Sequence, residues 1–158
     1  MSTHIGITDE NRAKSATQLN LLLADEHLLY IKTRNYHWNV RGMYFQSLHK
    51  FFEEQYTEIE GMIDEVAERI RALGHVAIGR MSGYLEMTRL LESDHSGGEA
   101  REMLQNLLDD HETIIKILRK DLEIYADKFH DMGTSDFVTG LMESHEKMAW
   151  MIRSYING

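Results

Sequence analysis

Apolar side chains recur every three to four residues through most of the chain, and glycine or polar clusters interrupt them in only a few places. The first periodic stretch runs from about Asp9 to His37, behind Thr8 as an N-cap, with Ala16, Leu19, Leu23 and Tyr30 along one stripe. Arg41 and Gly42 end it, because glycine tolerates the left-handed turn that closes many helices. A second stretch runs from about Tyr44 to Leu73 and stops at Gly74. Between Gly74 and Gly98 lie five glycines and mixed polarity, with room for a short helical piece over Tyr84 to Leu91. Ser96 followed by Glu99 has the form of a capping box, which starts a third helix. Its stripe is Ala100, Met103, Leu104, Leu107, Leu108, Ile115, Leu118, Leu122 and Tyr125. Lys128 to Gly133 breaks that pattern, and Thr134 or Ser135 caps a fourth helix carrying Phe137, Leu141, Met148, Ile152 and Tyr155.

The chain has no proline, so its strongest helix breaker is missing. Four long helices with one long middle connection predict an all-α fold, a ferritin-like four-helix bundle whose crossover joins parallel helices 2 and 3 and carries a short helix. The 158 residues are 42% hydrophobic, enough to bury a core in a single domain over 1–158, with about 1–8 as a flexible N-terminal segment.

Composition then narrows the chemistry. Zero cysteines exclude a disulfide framework, a thiol nucleophile and thiolate metal ligands. Seventeen basic against 26 acidic side chains give a net charge of −9, which repels nucleic-acid phosphates. No apolar run reaches the roughly 20 residues of a membrane span. Met1 to Lys14 lacks a basic segment followed by an apolar one, so a cytoplasmic protein is expected.

The second helix is rich in hard-metal ligands. At roughly 100° per residue, with His49 at zero, Glu53 falls near 40°, Asp64 near 60° and Glu68 near 100°. All four share a face, although an acidic solvated face is about as common a reason for such a pattern. Along the axis, the His49–Glu53 pair stands roughly 22 Å from the Asp64–Glu68 pair, so one chain cannot bring both to one metal. Two antiparallel copies related by a two-fold axis can, and they make two identical sites. His37 completes each site if the Arg41–Gly42 break folds the first helix back beside the second. Two imidazoles and three carboxylates suit iron, manganese or zinc.

Other chemistry finds little support. A conventional intra-bundle centre needs Glu-x-x-His on bundle helices, and only Glu92 and His95 have that spacing, in the glycine-rich connection. His27, His111 and His145 lie in helices and are expected to pack or hydrogen-bond. His4, His75, His95 and His130 are expected to be solvated. Met148, Trp150 and Met151 read as core or interface.

The run KTRNYHWNVR from Lys32 to Arg41, then Gly42, Phe45, Leu48–His49 and the D-x-x-x-E-R-I of Asp64 to Ile70, resembles the Dps family of mini-ferritins. The resemblance covers nearly the whole chain, including HEKMAWM from His145 to Met151. It implies a hollow dodecamer that oxidises iron(II), preferentially with hydrogen peroxide, and stores ferric mineral. Carried over by position, His37, His49 and Glu53 come from one subunit and Asp64 and Glu68 from its two-fold mate. Many relatives have Asp where Glu53 stands. Trp38 resembles a family position beside the iron that meets stray oxidising equivalents, or else packs at the interface. Asp127, Asp131 and Asp136 resemble carboxylates of the three-fold iron pore. Their ordinary alternatives are dipole compensation for Asp136 and solvated loop charge for the other two.

Two other functions compete. Some family members compact DNA through lysine-rich tails, but neither terminus here is polybasic, so DNA binding is expected to be weak or absent. A non-redox oligomer that holds zinc at the same ligands is the other, since zinc cannot change oxidation state.

Overall fold

A computed structural model describes residues 3–92 and 98–157 of the chain. The helices are α1 (Asp9–Asn39), α2 (Phe45–Ala72), α3 (Met81–Met87), α4 (Ala100–Glu123) and α5 (Met132–Ile156), with a π-helical turn over Ile124–Lys128 between the last two. Among the described residues there are no strands.

Thr8 caps α1 by accepting a hydrogen bond from the Asn11 amide at 3.2 Å. Gly42, at φ 103°, turns the chain back, so α2 runs antiparallel to α1. Gly74 does the same for α2 at φ 87°, with the His75 amide returning to the Ile70 carbonyl at 3.2 Å. Contacts between Lys32 and Asp110 and between Tyr36 and Asn106 set α4 antiparallel to α1. Consequently α2 and α4 are parallel, which requires the long crossover. Leu19, Leu23, Phe52, Ile59, Leu107, Leu118, Val138 and Met148 are among the side chains filling the centre of the bundle.

Polar side chains of α1 pin the crossover. Asn20 accepts from the Ile78 amide at 2.9 Å. Asp25, fully buried, accepts from Thr88 Oγ1, the Arg89 amide and Arg89 Nε at 3.0, 2.6 and 2.8 Å. Lys32 Nζ reaches Asp110 at 2.5 Å and the Leu91 carbonyl at 2.8 Å. These bonds explain why the short helix spans Met81–Met87 rather than Tyr84 to Leu91: the Arg89 amide is committed to Asp25, and Thr88 is extended.

Two expected helix ends differ from those found. Asp131, not Thr134 or Ser135, caps α5, accepting from the Thr134 amide and hydroxyl at 3.0 and 2.6 Å. Ser135 instead donates to the Leu122 carbonyl at 2.8 Å, across the turn. The third helix, expected to run regularly through Tyr125 to a break over Lys128 to Gly133, passes earlier into the π turn, in which the Phe129 amide reaches the Ile124 carbonyl at 3.1 Å. The Ser96 cap and His95 lie outside the described residues.

Candidate metal centre

Both imidazoles of the expected ligand set meet where α1 ends and α2 begins. His37 occupies the last turn of α1, whose final carbonyls have no donor four residues ahead. His49 supplies one: its Nδ1 donates to the His37 carbonyl at 2.8 Å, and His37 Nδ1 donates to the His49 carbonyl at 2.7 Å. A carbonyl only accepts, so each Nδ1 carries the proton, and each neutral ring keeps a bare lone pair on Nε2. This reciprocal bond fixes the tautomer and aims both rings, as outer partners do for metal-binding histidines.

The rings stack at 3.8 Å between centroids, 18° apart. Phe45 lies against His49 at 5.2 Å, and Tyr56 meets His37 edge-on at 5.3 Å. Beside them Arg34 donates to the Tyr30 hydroxyl at 2.8 Å, with its guanidinium carbon 5.0 Å from the Trp38 ring and 5.6 Å from that of Tyr56. Trp38 itself is 63% exposed. Tyr56 carries no motif of its own, and Arg34 lies within the Lys32–Arg41 run with no role assigned to it there; only the antiparallel pairing of α1 and α2 could have marked them from sequence.

Glu53 follows His49 by one turn of α2 and is exposed, as are Asp64 and Glu68 farther along the helix. Among the described residues, no three His, Asp or Glu side chains of the single chain converge to hold a metal ion. The structure thus brings His37 and His49 together and leaves Asp64 and Glu68 at a distance. Asp64 borders a groove of about 640 Å³ with Glu60, Ala67, Ile78, His27 and Tyr84. There His27 stacks on Tyr84 at 3.7 Å and donates from Nδ1 to the Leu23 carbonyl at 2.8 Å, and burial pushes its pKa down.

The three aspartates near the start of α5 have different surroundings. Asp127 is exposed in the π turn, and Asp136 is exposed on α5, sharing an open groove with Glu58 and Glu65 of α2. Asp131 departs from the expectation of a solvated or pore-lining charge. Only 1% exposed, it receives Arg69 Nη2 at 3.1 Å while capping α5, so its charge is neutralised within the fold. Of the remaining described histidines, His111 and His145 are buried in the core and His4 and His130 are exposed, as expected, whereas His75, expected to be solvated, is half-buried. Trp150, read as core or interface, is 61% exposed on the single chain, whereas Met148 is fully buried.

The family model of the ferritin-like domain matches residues 16–158. A low temperature-induced protein of Nostoc sp. is 47% identical over 155 residues, covering 98% of this chain and 87% of the relative. DNA protection during starvation protein 2 of Bacillus anthracis is 40% identical over 139 residues, 88% of this chain and 94% of the relative. Among solved structures, the Dps protein from Vibrio cholerae superposes with a TM-score of 0.91 at 36% identity, over 99% of this chain and 98% of that one. That protein is described as a member of a broad superfamily of ferritin-like diiron-carboxylate proteins. DpsC from Streptomyces coelicolor superposes with a TM-score of 0.95 at 29% identity, over 99% of this chain and 91% of the other.

Proposed function

The chain belongs to the Dps family of ferritin-like proteins, and from that premise we propose that it stores iron after oxidising Fe(II) at sites shared between two subunits. One observation carries this reading: His37 and His49 hold each other through Nδ1 and present two bare Nε2 atoms, while among the described residues no carboxylate of the same chain completes the set. Glu53 stands one turn from the pair. Asp64 and Glu68 lie roughly 22 Å along α2 from His49 and Glu53, so a two-fold mate laid antiparallel supplies them.

Carboxylates favour iron(III) over iron(II), which lowers the cost of oxidation. Two Fe(II) ions give up one electron each, and hydrogen peroxide takes both with two protons to yield two waters and no hydroxyl radical. Held at one site, the pair delivers its electrons together. Trp38, exposed and close to the histidines in sequence, is the side chain we assign to meet stray oxidising equivalents. Exposed Asp127 and Asp136 form an acidic inlet in a closed dodecamer, and Asp131 shapes the turn between them through its cap and Arg69.

Charge argues against DNA as a partner. With −9 per chain, phosphate contacts work against the field of the whole shell, so binding at physiological salt is expected to be weak or absent. No helix of the described residues is long and apolar enough to cross a membrane. A cytoplasmic place fits a protein that takes up Fe(II) and stores it oxidised.

Purified apo protein loaded anaerobically with Fe(II), then given peroxide, tests the reading. Fast ferric absorbance, about two irons per peroxide, and iron co-eluting with a large oligomer are expected; duplex DNA added to the sample should run unshifted. Oxidation no faster than in a protein-free control, with no iron at the oligomer peak, refutes the oxidase. Retention of zinc at the oligomer peak in that case would favour the non-redox reading.

A further inference from the structure

Three titratable side chains from three helices meet in the bundle core with no exposure at all: Glu26 of α1, His145 of α5 and His111 of α4. His145 Nε2 lies 2.8 Å from Glu26 Oε1, and His145 Nδ1 lies 2.9 Å from His111 Nδ1. A carboxylate accepts, so His145 Nε2 carries its hydrogen. Between the facing Nδ1 atoms one hydrogen is shared, which requires one of the two nitrogens to be bare. The two rings together therefore accommodate one added proton at most, and Glu26 balances it. A second added proton places hydrogens on both facing nitrogens, removes their bond, and sets two positive charges against one negative charge in an apolar interior.

Among the described residues, none of the groups packed around the three side chains absorbs that second charge. Glu26 Oε2 and His111 Nε2 are buried without hydrogen-bond partners. The buried face of α2 offers apolar side chains and Gln55, and that of α5 adds only Thr134 and Ser135 besides His145. The other buried charges of α1 are engaged elsewhere, Arg12 on the Leu73 carbonyl, Asp25 on Arg89 and Lys32 on Asp110. On the α1 end, His37 is tied to His49, and the buried carboxylate of α4, Asp121, faces Arg89. The crossover helix α3 buries only Gly83.

We propose that Glu26, His145 and His111 form an acid latch, which holds α1, α4 and α5 together until both imidazoles are protonated and then lets the core open. The latch acts on the bundle and is independent of iron chemistry. Burial, followed by the charge of His145, holds the His111 pKa well below its ordinary 6.5. The sign follows: the unfolded chain binds this proton more readily than the folded one, so the stability is whole above about pH 6.5 and is lost as pH falls toward the folded value.

Hydrogen exchange on the assembled protein, corrected for intrinsic rates, reads the opening of α4 and α5 between pH 7 and pH 5. His111→Asn keeps a polar group near the Nδ1 position and removes the titration. The opening constant of the unsubstituted protein is expected to climb up to about tenfold per pH unit more steeply than that of His111→Asn, the weight of one proton. Parallel profiles overturn the proposal, because a merely structural role shifts the opening equally at every pH. Should His111→Asn fail to assemble, Glu26→Gln decides: it keeps an acceptor but removes the balancing charge, so opening must begin at a higher pH. Coincidence of Glu26→Gln with the unsubstituted protein also overturns the latch.

Discussion

Two clusters built on a pair of histidines sit in this bundle, and their ring nitrogens are spent differently. At the α1–α2 junction, His37 and His49 each donate Nδ1 to a backbone carbonyl and leave Nε2 bare at a partly open surface. In the core, His145 uses both nitrogens on side chains, and His111 is sealed away from solvent. The first arrangement is half of a coordination sphere waiting for charge from outside the chain. The second is closed, with its bonded nitrogens turned inward on other side chains. Residue type therefore decides little; which nitrogen is left over, and whether an ion can reach it, decides what a histidine pair does.

The sharpest way to break this contrast is to divide the open site between two defective chains. A chain with His37→Ala and His49→Ala lacks the imidazoles, and a chain with Asp64→Ala and Glu68→Ala lacks the distant carboxylates. Each alone is expected to oxidise iron no faster than the protein-free control. Co-expressed, they should restore about a quarter of the sites, because half of randomly formed two-fold pairs are mixed and each mixed pair rebuilds one of its two sites. The initial rate per chain measures this. No recovery in properly assembled mixtures would place all ligands within one chain. By contrast, His111→Asn should leave the neutral-pH oxidation rate of the assembled protein unchanged.

The difference between the clusters also explains which parts were legible in the sequence. Helix periodicity gave the four long elements and the crossover within a few residues, because each helix has one face that must be buried. Angular and axial spacing on α2 was sufficient to separate the His49–Glu53 pair from Asp64–Glu68. What spacing along one helix does not encode is partnership between helices. Nothing in the local pattern around Asp25, Lys32 and Arg89 marks the partners that the folded crossover gives them. Asp131 reads as a loop aspartate until Arg69 of α2 arrives beside it. The Glu26–His145 bond joins residues 119 positions apart, and no local pattern foretells it.

Asp25 and Glu26 are neighbours in sequence and sharpen the comparison from another side. Both are fully buried carboxylates of α1, but Asp25 has bonds to both its oxygens whereas Glu26 leaves Oε2 without a partner. Removing Asp25 strands the Arg89 guanidinium and frees the Thr88–Arg89 corner of the crossover. Asp25→Ala is expected to destabilise the protein by about 3–5 kcal/mol, the usual cost of unpairing a buried ion pair. Thermal unfolding at fixed protein concentration measures it. A loss under about 1 kcal/mol would mean that the crossover is held by apolar contacts and that the ion pair is incidental.

The smallest effect lies at the edge of the same ionic cluster. Asp121 of α4 stands 3.8 Å from Arg89, whose main partner is Asp25. Burial raises the Asp121 pKa above its ordinary value, Asp25 raises it further, and Arg89 and Lys120 only partly oppose them. The folded state therefore tolerates this charge less well than the unfolded chain does. A group raised in the folded state contributes stability that is whole below its unfolded pKa and is lost as pH rises through the folded one. At neutral pH that contribution is gone, and an uncharged side chain of the same size recovers it. Asp121→Asn should accordingly raise Tm near pH 7 by less than about 4 °C, the shift that ~1 kcal/mol produces in a chain of this length. The gain should fade as pH falls toward the ordinary carboxyl value of 3.8, where the unfolded Asp121 is protonated as well. A lower Tm at pH 7 would mean that Arg89 needs both carboxylates, and that the ionic cluster, like the histidine chain in the core, is balanced as a unit and not pair by pair.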